Sequence, residues 1–248
     1  MDQTTRFVEG EDRAPQRENR ILAALPRSER RQLLDAATEV ALSVRTVLFE
    51  PGGAIDAVYF PTDGVISLVT PLHSGAIVEV ATIGNERIVG IPLVLPLTGF
   101  AVRAITQVAG HGLRLEAAAF IAWTEQSRAF QSIVNRYTQA LFGQIAQAAA
   151  CNRIHSSEER LSRWLLMSQD RVGSDDFTIT QEFLAQMLGA RRSTVSVSAG
   201  ILQRAGLIRY TRGHVTIIDR AGLEAVSCEC YAVIKAELDQ VSPQGPER

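Results

Sequence analysis

Arg191, Arg192, Ser193, Thr194, Ser196 and Val197 place two guanidinium groups, three hydroxyls and one branched aliphatic side chain within seven positions. Guanidinium forks grip phosphate or the O6/N7 edge of guanine, hydroxyls bond to phosphate or base edges, and an aliphatic group suits a thymine methyl. Such a set is useful only if one element presents it together. Residues 180–189 read as a short helix with an apolar face at Leu184, Met187 and Leu188, and Gly189 supplies a sharp turn. A second helix opens at Arg191 and Arg192, is anchored inward by Val195 and Leu202, and ends at Gly206. Two helices joined this way put the first residues of the second into a DNA major groove. Residues 207–218 alternate around Arg212-Gly213 like a two-stranded wing, which would bring Arg212 to the phosphate backbone.

The whole chain has a net charge of -2 and a pI near 6.1. Between residues 178 and 220, however, six arginines face only Glu182 and Asp219. A local patch, not the total, sets the attraction for phosphate. Hydrophobic residues are 46% of the chain and charged residues 21%, the balance of a folded protein of two modest domains. The longest apolar run, near residues 88–97, is broken by Gly90, Pro92 and Pro96, so no membrane span is expected. An odd cysteine count behind a start that does not resemble a signal points to a reducing, cytoplasmic setting.

Residues 1–18 are charged and nearly free of apolar side chains, and are expected to form a disordered tail. A helical period covers residues 20–41, with Ser28 as the expected cap of its second part. Residues 42–115 change to short apolar or alternating runs separated by glycine turns, the pattern of a small β-roll or barrel. Helical patterning returns at about Glu116. The spacing of Phe130, Val134, Tyr137, Leu141, Ile145 and Ala148 makes a near-heptad stripe. That stripe fits either a helix packed on its own domain or, the favoured reading, the pairing helix of a homodimer. An amphipathic helix at 157–171 leads to the helix-turn-helix. After the wing, Asp219 is expected to cap one last helix reaching about Val241, with a frayed end at 243–246. The resulting domains are 19–128 (β-roll), 129–155 (pairing helix) and 156–248 (winged helix-turn-helix). The overall class is α+β.

Cys151 and His155 stand four apart on one predicted helix face. Cys228 and Cys230 are two apart on another predicted helix and should diverge. Zinc or redox chemistry is conceivable there, but buried structural thiols and no metal are expected. No GxSxG, Walker, HExxH or dinucleotide loop occurs, so no enzyme and no cofactor are expected.

The order helix, β-roll, long helix, winged helix-turn-helix resembles the Crp/Fnr family. The likeness is carried by Leu184-Ala185, Leu188-Gly189, Arg192 with Thr194-Val195-Ser196, Gly206-Leu207-Ile208 and Arg212-Gly213. In the sensor half it is carried by Val47-Leu48-Phe49, Gly53, Val58-Tyr59-Phe60 and Gly64. The resemblance implies a dimeric transcription regulator that binds double-stranded DNA, with a cyclic-nucleotide-binding-like β-roll; RNA polymerase enters as a partner where the roll serves protein contacts instead of sensing. It assigns base reading to Arg192. Where relatives carry glutamate and a second arginine, this chain has Ser193 and Val197, so a different DNA site is implied. Where the family's sensor cassette has Gly-Glu, this chain has Gly90-Ile91, and Arg103 is the nearest basic candidate for a phosphate. The apolar cassette Ile88, Val89, Ile91, Leu93, Val94, Leu95 thus suits a less polar ligand or simply core. A constitutive regulator using the roll for protein contacts, or a cyclic-nucleotide-responsive one with a divergent pocket, are the alternatives. Three cysteines are too few for the family's four-thiolate iron–sulfur cluster. His73, His111, His155 and His214 lack the context of a haem ligand.

Overall fold

The computed structural model describes residues 18–94 and 100–241. The expected tail (apart from Glu18), Leu95 and the chain end at 243–246 lie outside them. Two short helices, α1 (Arg20–Ala23) and α2 (Arg27–Ala36), precede seven strands: β1 (Thr38–Leu42), β2 (Val47–Phe49), β3 (Ala57–Pro61), β4 (Val65–Pro71), β5 (Ile77–Ile83), β6 (Arg103–Val108) and β7 (Gly110–Glu116). These form two antiparallel sheets, ordered β1-β7-β3 and β2-β6-β4-β5. Their facing sides enclose an apolar core that includes Val58, Phe60, Ile66, Leu68 and Ile83.

Two readings of the amino-terminal part need correction. Helix α2 starts at Arg27 with Pro26 at its cap position, so Ser28 lies inside the helix and caps nothing. The fixed φ of proline suits a helix start without a side-chain cap. The helical period also stops at Ala36: β-branched Thr38 and Val40 continue as a strand that pairs with β7.

Strand β4 is buried on both faces from Val65 to Val69, because it separates two cores. Ile66 and Leu68 point into the roll, whereas Val69 belongs to the core of the carboxyl-terminal half. A register shift between the pairs Leu68–Ala81 and Val69–Glu79 turns Ala81 inward and Glu79 outward.

Beyond α3 (Ala117–Gln126), the long helix α4 (Arg128–Ile154) begins at Ser127, whose hydroxyl accepts from Phe130 N. Phe130, Ile133, Val134, Tyr137 and Leu141 pack into the roll's own core. The near-heptad stripe favoured for dimer pairing is therefore largely consumed within the chain. A second stripe, Asn135, Gln139, Phe142, Ala146, Ala149 and Arg153, is exposed at the same spacing, and Phe142 is 74% accessible.

At His155 the backbone becomes extended, and α5 (Ser157–Val172) starts in a capping box between Ser156 and Glu159. Next come β8 (Asp176–Thr178), α6 (Gln181–Leu188), α7 (Arg192–Arg204), β9 (Ile208–Thr211) and β10 (His214–Ile217), with the strands ordered β8-β10-β9. Strand β8 joins the expected hairpin as a third strand. The single last helix is in fact two, α8 (Arg220–Ala225) and α9 (Cys230–Val241). The turn between them closes with Ser227 bonded to Glu224 O, and residues 226–229 redirect the chain. Cys228 and Cys230 consequently do not diverge: they converge on Cys151 and His155.

Candidate nucleic-acid interface

The helix-turn-helix is built from its core outward. Thr180 caps α6, its hydroxyl accepting from Phe183 N at 3.2 Å. Phe183, Leu184, Met187 and Leu188 are buried against Val195, Ala199 and Leu202 of α7. Gly189 takes φ 57°, and a Cβ there would stand 3.2 Å from Val78 Cγ2 of β5. The turn thus needs glycine for its backbone and again for its close seat on the sheet.

Burying Val195, Ser198, Ala199 and Leu202 leaves the other side of α7 outward. Arg191, Arg192, Ser193 and Val197 are exposed, and Thr194 and Ser196 are half-buried. Arg191 holds the cap position without a side-chain cap, so the first-turn N–H groups remain open to an anion. Ser196 is turned inward, its hydroxyl 2.6 Å from Gln181 Oε1 and 3.0 Å from Arg192 O. It joins the two helices. Ile201, one turn beyond Val197 and also exposed, extends this face beyond the residues expected to reach DNA; its sequence signal is the same i, i+4 spacing.

The wing turns at Arg212-Gly213, where both residues have positive φ, 51° and 81°, between paired Thr211 and His214. This is the mirror-image turn that two-residue hairpins prefer. Asparagine or glycine usually fills the first position; an arginine there costs about 1–2 kcal/mol. Arg212 is exposed at the tip. Gln203 Oε1 accepts from Tyr210 N at 2.8 Å and fastens the wing to α7. Ser198 donates to Glu158 at 2.9 Å and fastens α7 to α5.

Helix α5 in turn is fixed to the sheet. Trp164 Nε1 donates to Glu79 Oε1 at 3.1 Å, and Ser67 Oγ lies 2.6 Å from Glu79 Oε2. Burial pushes the Glu79 carboxyl up to about 7, against the opposing pull of Ser67, Arg163, Arg171 and Trp164. Glu86, equally buried, behaves oppositely. Burial disfavours its charge, but Arg171 at 2.9 Å and Arg87 outweigh that and hold the carboxyl below its usual range.

The apolar cassette at residues 88–94 lies beside α4. A cavity of about 110 Å³ is lined by Phe49, Leu68, Ile88, Gly90, Ile91 and Phe100, with Leu141 and Phe142 from α4. No charged side chain lines it among the described residues. Arg103 is not among the lining residues; it pairs with Glu50 at 2.7 Å on the partly exposed surface. Ile88, Val89 and Ile91 are buried, whereas Leu93 and Val94 are half-buried. No described helix is long and apolar enough to cross a membrane.

Residues 159–226 match the Crp-like helix-turn-helix domain family. No curated protein matches the chain in sequence. The fold is similar to that of a Eubacterium rectale protein assigned to the Crp/Fnr family of transcriptional regulators, at TM-score 0.66 and 16% identity over 83% of this chain and 96% of that one. A CRP-family transcriptional regulator from Thermus thermophilus gives TM-score 0.63 and 19% identity over 76% and 96%. The c-di-GMP-responsive global regulator CLP of Xanthomonas campestris gives 0.62 and 14% over 77% and 98%. Residues 159–226 therefore form a Crp-like helix-turn-helix domain, and the architecture before it is similar in fold to that of solved Crp/Fnr-family regulators.

Proposed function

We propose that the chain is a dimeric, sequence-specific regulator of transcription, with α7 as its reading helix and the β-roll as its controlling input. The observation that carries this reading is the outward face of α7: Arg191, Arg192, Ser193 and Val197 beside uncapped helix N–H groups, flanked by Arg212 on the wing. Arg192 contacts guanine, Val197 a thymine methyl, and Arg191, Ser193, Thr194 and Arg212 phosphate or base edges. Ser196 serves mainly to hold the helix pair together.

The dimer pairs through the exposed stripe of α4 around Phe142, whose small neighbours Ala146 and Ala149 allow close approach. Residues 19–128 act as the sensor, 129–155 as the pairing helix and 156–248 as the DNA-binding part. The protein works in the cytoplasm as a binder, not a catalyst. The cassette favours an apolar effector over a cyclic nucleotide, since burying a phosphate without a matched charge costs several kcal/mol. An effector there touches α4 directly and shifts the population between two dimer geometries.

Selection from a random duplex library tests the reading. Enrichment of a two-fold repeat with half-sites one helical turn apart is expected. Recovery of no preferred sequence contradicts it. Repeating the selection with cyclic AMP should leave the site and its affinity unchanged; a cyclic-AMP-dependent site would restore the nucleotide as effector.

A further inference from the structure

Cys151, His155, Cys228 and Cys230 are brought together from the end of α4 and the turn between α8 and α9, and their ligand atoms all lie within 4.8 Å of one another. The three thiols are free, buried, and form a cluster apart from both apolar cores. Cys151 and His155, four residues apart, share one face of the last turns of α4 and its exit. Cys228 sits in the break between the two last helices and Cys230 opens α9. The break is what allows both to point the same way.

Cys151 Sγ and Cys228 Sγ are 3.6 Å apart, and Cys230 Sγ is 3.5 Å from His155 Nδ1. Ligands arranged tetrahedrally at the usual zinc distances stand about 3.5–3.8 Å from one another. The four ligands of an iron–sulfur cluster are divided among two or more irons, so the set as a whole spreads wider than this. The surroundings are also arranged for a metal. His155 Nε2 is 3.1 Å from Glu229 Oε2, which leaves Nδ1 facing the sulfurs, the carboxylate–histidine pairing that supports metal sites. Gln147 donates to Cys230 Sγ at 3.0 Å. The charges of Arg160 and Arg163, from α5, act on Cys151.

We propose that Cys151, Cys228, Cys230 and His155 Nδ1 bind one zinc ion in a closed, structural tetrahedral site. Binding displaces the thiol protons, and three thiolates with one Zn²⁺ leave a single negative charge beside the two arginines. The ion fastens the end of α4 to the α8–α9 corner, next to the bend at His155-Ser156 where the long helix hands over to α5. It therefore fixes the angle between the long helix and the DNA-binding part.

Metal analysis of the purified full-length protein tests this directly. About one zinc per chain is expected, with loss of the metal in Cys228→Ser and His155→Ala. Glu229→Gln should keep the stoichiometry but weaken zinc affinity about 10–100-fold. Should the ligand variants misfold, chelated wild-type protein refilled with cobalt supplies an independent reading: the visible absorption of a tetrahedral cobalt–thiolate site is expected. Absence of zinc together with no cobalt–thiolate absorption overturns the assignment. So does iron with acid-labile sulfide, or a Cys151–Cys228 disulfide in freshly isolated protein.

Discussion

The indole of Trp164 and the carboxyl of Glu79 meet at 3.1 Å in a buried site, so the first long element of the carboxyl-terminal half is hydrogen-bonded to the outward face of the roll's sheet. Ser67 and Gln107 approach from the sheet, Arg163 and Arg171 from α5. Because burial raises the Glu79 carboxyl from 4.5 to about 7, the packed state holds a proton that an unfolded chain would release. The stability this lends is complete below about pH 4.5 and is lost as pH rises through about 7, a change with a ceiling of about 3 kcal/mol. Glu79→Gln should flatten the difference in thermal stability between pH 5 and pH 8 relative to wild type. Parallel pH profiles for the two proteins would remove Glu79 from this role.

Glu86 and Arg171 should show the reverse dependence on a partner. Their pair is buried at 2.9 Å, and Arg171→Met leaves the carboxylate with only the more distant Arg87 at 3.9 Å, which should cost up to about 3–5 kcal/mol. Double replacement with Glu86→Gln should recover part of that loss in chemical denaturation. No recovery would mean the two groups are not coupled.

Arg212 carries backbone strain that stability alone does not justify. Arg212→Gly should therefore stabilise the protein by about 1 kcal/mol while lowering the salt slope of DNA binding by about one. Unchanged DNA affinity and salt slope would make the strained arginine a feature without a DNA role.

Phe142 is the exposed aromatic of α4. Sedimentation should find a dimer in the wild type and a shift toward monomer in Phe142→Glu, with DNA affinity falling alongside. A variant that remains fully dimeric would move the pairing surface elsewhere.

Much of this arrangement is legible in the residues. The turn at Gly189, the buried set Leu184, Leu188, Val195 and Leu202, and the Arg212-Gly213 wing follow from local pattern because each is decided by near neighbours in the chain. Strands β1 and β7 are not, since glycine, histidine and arginine interrupt the alternation of β7 and only pairing with β1 and β3 makes it a strand. The role of the α4 stripe depends on whether another copy or the same chain fills the space beside it, and the roll fills it. The cysteine cluster is hidden for a related reason. Cys-x-Cys diverges on an unbroken helix, and the break at 226–229 that reunites the pair carries neither glycine nor proline to announce it.

The reading role of α7 is tested most directly at Arg192. Binding of wild type and Arg192→Ala should be compared on the selected site, on sites substituted at each base pair, and on random duplex. The expected result is a loss of about 1–3 kcal/mol on the selected site, with preference relaxed at one position of each half-site and little change on random DNA. Equal losses on selected and random DNA, with all base preferences intact, would contradict it.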